Sequence, residues 1–133
     1  MTTAQAESTR AAVEDLLKGH QYINLITYRK TGVGVPTPVW FALEDGKIYV
    51  LTQMKAGKAK RIRNNGRVHF APCTVRGQEL GPRVTGTARI LPPDEAPKAV
   101  RALNRKYGLM KRMFDVFMRG ERVYFEITPA PEG

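Results

Sequence analysis

The chain has 133 residues, 42% of them hydrophobic and 26% charged, which are values of a folded protein with one core rather than a disordered chain. Its single cysteine, Cys73, excludes an internal disulfide and any zinc site built from several cysteines. The 22 Lys and Arg residues outnumber the 12 Asp and Glu residues, so the net charge is +10. That charge indicates an anionic partner: nucleic acid, an anionic membrane surface or a polyanionic small molecule.

The length predicts a single domain over residues 1–133, with an N-terminal helix within 1–19 and a short tail at 129–133. The N-terminus lacks the basic and apolar regions of a secretory signal, and no apolar run approaches the ~20 residues of a membrane helix. We therefore expect a cytoplasmic protein without a membrane span.

Hydrophobic periodicity, turn residues and helix breakers predict the secondary structure in chain order. We expect a helix over 4–18, strands over 22–29, 35–43 and 47–52, a helix over 57–64, strands over 67–74 and 83–91, a helix capped by Asp94, a helix over 109–119 and a strand over 122–128. The helix after Asp94 places Ala96, Val100, Leu103 and Tyr107 on one face, which we expect to be its buried face.

Six predicted strands follow one another through short turns, with too few long helices for a parallel sheet. The pattern predicts a mainly β fold, an antiparallel sheet that closes into a barrel, with helices at the ends and over open edges. Stacking of the sheet on itself is the alternative architecture.

A basic segment follows the third predicted strand and enters a short helix. Lys55, Lys58 and Arg61 fall within two turns, although cations at a helix N-terminus oppose the macrodipole. Because free N–H groups at a helix start favour an anion, the segment predicts an anion site, and a solvated basic face is the alternative.

The second predicted strand contains Pro36 and Pro38 and the only tryptophan, Trp40. Two prolines remove two hydrogen-bond donors, so the strand cannot pair normally on both sides. It is either a bare edge strand or a surface where a flat ring packs against the backbone of residues 37–39.

Recognised catalytic signatures are absent from the sequence. There is no nucleophile elbow, zinc-protease motif, Walker lysine motif or dinucleotide fingerprint. His20 and His69 are far apart without a carboxylate at ligand spacing, so we expect no metal site. We assign no catalytic residue.

Six segments, in order and over about residues 20–128, resemble the flavin- and deazaflavin-binding split β-barrel family related to pyridoxamine 5′-phosphate oxidase. They are Tyr22-Ile-Asn-Leu-Ile-Thr-Tyr-Arg, Pro36-Thr-Pro-Val-Trp-Phe, Ile48-Tyr-Val-Leu-Thr, Gly57-Lys-Ala-Lys-Arg-Ile-Arg-Asn-Asn, Val68-His-Phe-Ala-Pro-Cys and Val84-Thr-Gly-Thr-Ala-Arg-Ile-Leu. The resemblance implies a six-stranded antiparallel split β-barrel of the FMN-binding type. It also implies a homodimer with a cofactor in the groove between the subunits.

The resemblance also implies which residues contact the cofactor. Its phosphate would meet Lys55, Gly57, Lys58 and Arg61, and its ring would lie against Thr37, Pro38, Val39 and Trp40, with Thr52, Ala71, Pro72 and Cys73 nearby. The oxidase itself carries an arginine in strand two and a Ser-Arg-Lys segment where this chain has Thr-Pro-Val-Trp and Ala56-Gly57-Lys58. These departures favour the branch that uses the deazaflavin F420, with FMN or FAD as the alternative cofactor.

The implied activity is hydride transfer between reduced F420 and a small electrophilic acceptor, such as an activated double bond, a quinone or a tetrapyrrole. Solvent, Tyr28 or Lys55 would supply a proton. An alternative is a protein that binds FMN, FAD or haem without turnover. A basic protein that binds nucleic acid is a more distant alternative, because exposed aromatic residues for base stacking are not evident.

Overall fold

A computed structural model describes residues 3–53, 56–108 and 122–130. Their elements are α1 (Thr3–Leu17), β1 (Tyr22–Tyr28), β2 (Gly34–Trp40), β3 (Ala42–Glu44), β4 (Lys47–Gln53), α2 (Gly57–Asn64), β5 (Arg67–Cys73), β6 (Val84–Ile90), α3 (Ala96–Tyr107) and β7 (Arg122–Pro129). The helix predicted over 109–119 lies outside the described residues. Among those described, no helix combines the length and apolar character needed to cross a membrane.

The seven strands form one antiparallel sheet in the order β2-β1-β5-β6-β7-β4-β3. Its two edge strands, β2 and β3, are consecutive in sequence and separated only by Phe41, so the chain passes directly from one edge to the other. The sheet must curl to bring these edges together, and β2 indeed approaches β4. The predicted split β-barrel class is confirmed.

The described residues form seven strands rather than the six we predicted, because the strand expected over 35–43 is divided at Phe41. The Phe41 N–H donates to the Tyr107 hydroxyl at 3.0 Å, and its carbonyl accepts from Lys106 Nζ at 2.9 Å. The backbone of Phe41 therefore bonds to side chains of α3 at the point where the strand is broken.

The barrel interior is filled by alternate residues of the strands together with apolar residues of α1 and α2. Val13 and Leu17 enter it from α1, and Ala59 and Ile62 enter it from α2. These two helices cover the interior, where we expected helices at the ends of the barrel.

The third helix covers the outer face of β3 and β4, and its register differs from our expectation. Ala99, Ala102, Leu103 and Tyr107 are buried there, whereas the predicted Ala96 and Val100 are only partly buried. The predicted Asp94 cap is also wrong. The helix starts at Ala96 with no side-chain cap, because the backbone N–H groups of residues 95 and 96 donate to the Pro92 carbonyl in the preceding turn.

An acid–base cluster joins α3 to the sheet; it consists of Tyr49, Arg89, Glu95, Lys98 and Glu126. Glu126 is only 6% exposed, and its carboxylate accepts hydrogen bonds from Tyr49, Arg89 and Lys98. Burial alone would raise the pKa of Glu126, but hydrogen bonds from Lys98, Tyr49 and Arg89 bring it below its ordinary value. The cluster is therefore charged and internally paired.

Candidate functional site

The start of α2 provides unsatisfied backbone donors next to positive charge. The helix begins at Gly57 after Ala56, which has no side-chain oxygen to cap it, and its first turn contains no acidic residue. Lys58 is half-buried in that turn, and burial, reinforced by Arg61, lowers the pKa of its ammonium group. A helix start with these properties favours a bound anion over any side chain of its own.

A cavity of about 320 Å³ lies beside this helix and the turn between β1 and β2; we call it the basic cavity. Its lining residues are Tyr28, Arg29, Lys30, Gly57, Lys60, Arg61 and Asn64. Four of the seven are cationic and none is acidic. An anion entering the cavity would relieve repulsion among these cations, so the cavity suits a phosphate or carboxylate group.

Arg61 is held in a fixed position across the start of α2. Its Nε donates to Thr27 Oγ1 of β1 at 2.6 Å, and a Cβ at Gly57 would come within 2.8 Å of Arg61 Nη1. Glycine at position 57 therefore leaves room for the guanidinium of Arg61, which a side chain there would displace. Burial, followed by the nearby Arg29, lowers the pKa of the Arg61 guanidinium, which is the expected response of a cation crowded by another.

The open edge of the barrel begins at the basic cavity. Tyr28, which lines the cavity, pairs with Gly34 at the start of β2, and within the described residues β2 pairs only with β1. The two prolines of β2 thus lie in an edge strand, as one of the two sequence interpretations required. The strand leads from the basic cavity towards Trp40.

Two groups of predicted ring-contact residues, one on β2 and one on β5, lie in matching rows of the sheet on either side of β1. In the first row, Pro38 of β2 pairs with Asn24 of β1, which pairs with Ala71 of β5. The next row consists of Val39, Ile23 and Pro72. The row after it consists of Trp40, Tyr22 and Cys73. The segments 37–40 and 71–73 are therefore separated by β1 alone. Their contact with a cofactor stays a prediction.

The side chains in these rows differ in accessibility. Trp40 is partly exposed and stacks on Tyr107 with ring centroids 4.8 Å apart, whereas Val39 belongs to the interior core. Ala71, Pro72 and Cys73 are buried, as is Thr52 of β4. Burial raises the pKa of the Cys73 thiol, so the cysteine is an inert packing residue in this state.

A hairpin loop over residues 74–83 accounts for part of that burial. Glu79 accepts from Asn24 Nδ2 at 2.8 Å and from two nitrogens of Arg83, each at 2.9 Å. Since Ala71 lies between β1 and the loop in the sheet, the Glu79 carboxylate reaches Asn24 over that small residue. The loop returns as far as Pro38, whose ring lies 3.8 Å from the Cβ position of Gly77.

Tyr28 also belongs to a polar pair on the outer face of the barrel. Its hydroxyl is hydrogen-bonded to His69 Nδ1 at 2.5 Å. Burial, followed by the charges of Arg67 and Arg83, lowers the pKa of His69, which favours a neutral imidazole. The tautomer of that imidazole sets whether Nδ1 accepts from the Tyr28 hydroxyl or donates to it. Tyr28 therefore contacts the basic cavity and a titratable partner at once.

The structure places only part of the predicted phosphate site around the basic cavity. Gly57 and Arg61 line it, Lys58 lies in the adjoining first turn of α2, and Lys55 lies outside the described residues. Sequence reasoning missed four other residues that line the cavity: Arg29, Lys30, Lys60 and Asn64. Tyr28, which also lines it, was predicted only as a possible proton source. Sequence reasoning also missed Asn24, although a polar residue in the apolar run of β1 was a usable signal.

No group of three His, Cys, Asp or Glu side chains within the described parts of the chain is arranged to hold a metal ion. The donors present are cations and backbone groups, which match a phosphorylated organic ligand better than a metal.

Fold and site together define a class: a helix-covered, antiparallel split β-barrel with a cationic cavity at one end of an open edge strand. The family model for pyridoxamine 5′-phosphate oxidase matches residues 9–131, and the chain belongs to this family. A search of curated proteins finds no match.

Solved structures share the fold at low sequence identity. HutZ, the haem storage protein of Vibrio cholerae, superposes with a TM-score of 0.70 at 11% identity over 93% of this chain and 92% of its own. An FAD-binding protein of Mesorhizobium loti gives 0.65 at 18% identity over 90% and 86%. An F420 reductase gives 0.59 at 21% identity over 88% and 92%.

One structural relative is considerably longer. The protein Atu2129 of Agrobacterium tumefaciens, of unknown function, gives a TM-score of 0.69 at 16% identity, and this chain spans 56% of its length. At these identities the likenesses describe the fold alone.

Proposed function

We propose that this protein is an F420-dependent oxidoreductase that transfers a hydride between the reduced deazaflavin and a small electrophilic acceptor. Candidate acceptors are an activated double bond, a quinone or a tetrapyrrole. The observation that carries the proposal is the basic cavity, with four cations and no acid among its lining residues, at the start of an open edge strand. Membership of the pyridoxamine 5′-phosphate oxidase family supports a cofactor of the flavin type.

The residues present fit such a cofactor. The basic cavity and the first turn of α2 would hold its phosphate through Arg29, Lys60 and Arg61 and through backbone N–H groups. The edge of β2 from Pro36 to Trp40 would hold its ring, and Trp40 is fixed for this by its stack on Tyr107. When bound, the deazaflavin supplies a ring carbon that gives or takes a hydride.

The charge of the chain favours F420 over FMN or FAD as the cofactor. F420 carries an acidic polyglutamate tail, and a protein with net charge +10 offers that tail a favourable field. The sequence of β2 also lacks the arginine expected for an FMN phosphate. The folds of an F420 reductase and of an FAD-binding protein are both similar to this one, so the choice rests on these chemical arguments.

The proposed proton source is solvent, Tyr28 or Lys55. Tyr28 lines the basic cavity, and its hydrogen bond to His69 would give it a route for reprotonation. The proposed assembly is a homodimer with the cofactor between subunits, and the proposed compartment is the cytoplasm, where a chain with one buried cysteine needs no oxidising environment.

A second candidate function is storage or carriage of FMN, FAD or haem without turnover. Its specific support is the fold likeness to a haem storage protein and to an FAD-binding protein. The two functions differ in one observable property, which is hydride transfer to an acceptor after the cofactor has bound.

The test is a fluorescence titration of the protein with F420, FMN and FAD at low and moderate salt. We expect saturable binding of F420, weakened by salt, and at least tenfold weaker binding by Arg61→Ala. Arg63→Ala is the matched control, because it removes an exposed arginine of the same helix that does not line the cavity.

Binding of FMN or FAD in preference to F420 would overturn the cofactor, and tight binding without transfer to a panel of acceptors would favour the storage function. If Arg61→Ala bound F420 as tightly as the unaltered protein, the assignment of the basic cavity would be wrong.

A further inference from the structure

The backbone groups of Pro36 and Pro38 point away from β1, into the open edge of β2. The N–H of Arg29 donates to the carbonyl of Val33 at 2.9 Å across the turn that joins the two strands, so these residues form a hydrogen-bonded pair. Hydrogen-bonded and non-hydrogen-bonded pairs alternate along an antiparallel ladder. Counting along the register from Arg29 places both prolines at non-hydrogen-bonded positions.

The hydrogen bonds of β5, the other neighbour of β1, independently give the same orientation for the backbone groups of Pro38. The Leu80 N–H donates to the Pro72 carbonyl at 2.8 Å, so the backbone groups of Pro72 face away from β1. Those of the adjacent Ala71 must then face β1, where Ala71 pairs with Asn24. The backbone of Asn24 is thus directed at β5 and not at Pro38, which leaves the carbonyl of Pro38 at the open edge.

The backbone of the open edge between residues 35 and 39 consequently presents hydrogen-bond acceptors and no N–H donor. Proline has no N–H, and the two outward carbonyls are separated by roughly 7 Å, the rise of two strand residues. Another β-strand would find no donor there for its own carbonyls, so strand addition is disfavoured. The edge is suited to a ligand that brings N–H groups.

A third acceptor lies in the same row of the sheet. The side chain of Asn24, opposite Pro38, is only 4% exposed; its Nδ2 donates to Glu79, while its Oδ1 is buried and has no hydrogen-bond partner. A buried acceptor without a partner destabilises the fold, and a hydrogen bond from a donor group would remove that cost. Protection of an edge strand does not account for this unpaired acceptor beside Pro38.

The position of these acceptors along β2 relates them to the basic cavity. Pro36 and Pro38 follow Gly34 by two and four residues, roughly 7 and 14 Å of strand, and Gly34 pairs with the cavity residue Tyr28. A ligand that extends along β2 from an anion in the cavity therefore meets acceptors beyond its charged end.

Oxidation state changes the hydrogen-bonding character of the proposed cofactor ring. In a deazaflavin the hydride adds to a ring carbon and the proton to a ring nitrogen, so reduction converts one nitrogen from an acceptor into an N–H donor. In a flavin the hydride also adds to a nitrogen, so reduction converts two acceptors into donors. An edge with acceptors alone repels a nitrogen lone pair and attracts an N–H.

We infer that the Pro36–Pro38 edge of β2 makes the protein select the reduced form of its cofactor over the oxidised form. This inference rests on the proposed function, because it takes the ring to lie along β2. It assigns the two prolines a specificity role: they remove the backbone donors that would otherwise stabilise the oxidised ring. Such a bias suits a reductase that takes up the reduced cofactor and releases the oxidised one.

The test compares dissociation constants for the two oxidation states under anaerobic conditions, with F420 and FMN as probes. We expect the reduced form of whichever probe binds to bind at least tenfold more tightly than its oxidised form. Pro36→Ala and Pro38→Ala each restore one outward N–H, and at least one of them should lower the ratio threefold or more. Pro93→Ala, which alters an exposed proline outside the sheet, is the matched control. Thermal unfolding of each variant establishes that it is folded.

A ratio near one, or a preference for the oxidised form, would overturn the inference, and so would a ratio unchanged in both proline variants. If no oxidation state of either probe binds, the inference and the proposed function fail together. If the expected preference is found but no hydride reaches any acceptor, the inference stands and only the proposed enzymatic activity fails.

Discussion

The acid–base cluster under α3 and the basic cavity beside α2 differ in whether their cations are paired with carboxylates. In the cluster, Glu95 and Glu126 neutralise Arg89 and Lys98, and these cations hold the pKa of Glu95 at about 2. The residues that line the basic cavity include four cations and no acid. The comparison teaches that the excess positive charge is localised: where charges are paired they join elements, and where they lack carboxylates they are available to an anion.

Removing Glu126 should have the largest effect, because it would make the cluster resemble the cavity. Glu126→Ala leaves Arg89 and Lys98 without this partner and the buried Tyr49 hydroxyl without its acceptor. We expect the free energy of unfolding to fall by about 2–3 kcal/mol in urea denaturation, since two of the freed groups can be hydrated. Glu126→Gln, which keeps the shape, should lose less; equal stability of Glu126→Ala and the unaltered protein would contradict the account.

Phosphate should distinguish one lysine of each region. Lys60→Ala removes a cation that lines the basic cavity, and Lys98→Ala removes one that is paired with Glu95 and Glu126. We expect inorganic phosphate to raise the melting temperature of the unaltered protein and of Lys98→Ala by mass action. In Lys60→Ala the apparent affinity for phosphate should fall about tenfold, about 1.4 kcal/mol. Equal responses of the two variants would contradict the comparison.

The cluster should also be sensitive to alkaline pH. Burial, followed by the hydrogen bond to Glu126, raises the pKa of Tyr49 to about 12 from its ordinary value of 10.0. A raised pKa in the folded state contributes stability that is fully present below pH 10 and is lost as pH rises towards 12. After allowance for solvent screening we expect this loss to be about 1 kcal/mol. Unfolding measured between pH 9 and 12 should show a shallower decline for Tyr49→Phe, and an equal slope would exclude Tyr49 as the cause.

The smallest effect should come from the first turn of α2, where stability and binding are expected to change in opposite directions. Lys58→Ala removes a cation that opposes the helix macrodipole, so the free energy of unfolding should rise by about 0.3–1 kcal/mol. The same variant should bind F420 at least tenfold more weakly. Arg63→Ala, in the last turn of this helix, is the control and should lower stability slightly without affecting binding. A destabilised Lys58→Ala would show that the lysine supports the fold.

Local pattern was sufficient for most elements. Residues 57–64 form a helix as expected, because Asn65-Gly66 ends it and Ala59 and Ile62 supply a narrow apolar stripe. The prolines of β2 allowed an edge strand to be anticipated, because a missing N–H is a property of the residue itself. Where the pattern failed, a contact distant in sequence had intervened, as Tyr107 and Lys106 do at Phe41.

The sequence by itself determined the strand and helix periodicity, the proline edge, the positive charge and the uncapped, basic start of α2, because each depends on neighbouring residues. Only the tertiary structure decided that the turn at Arg29 and Lys30 would join α2 in one cavity, and that Asn24 would be buried with one oxygen unsatisfied. It also decided which residue pairs of β1 and β2 are hydrogen-bonded, and this directs the carbonyls of Pro36 and Pro38 outward. These features arise from strand pairing and packing between distant segments, and the physical reason is that neither register nor burial is a property of any one segment alone.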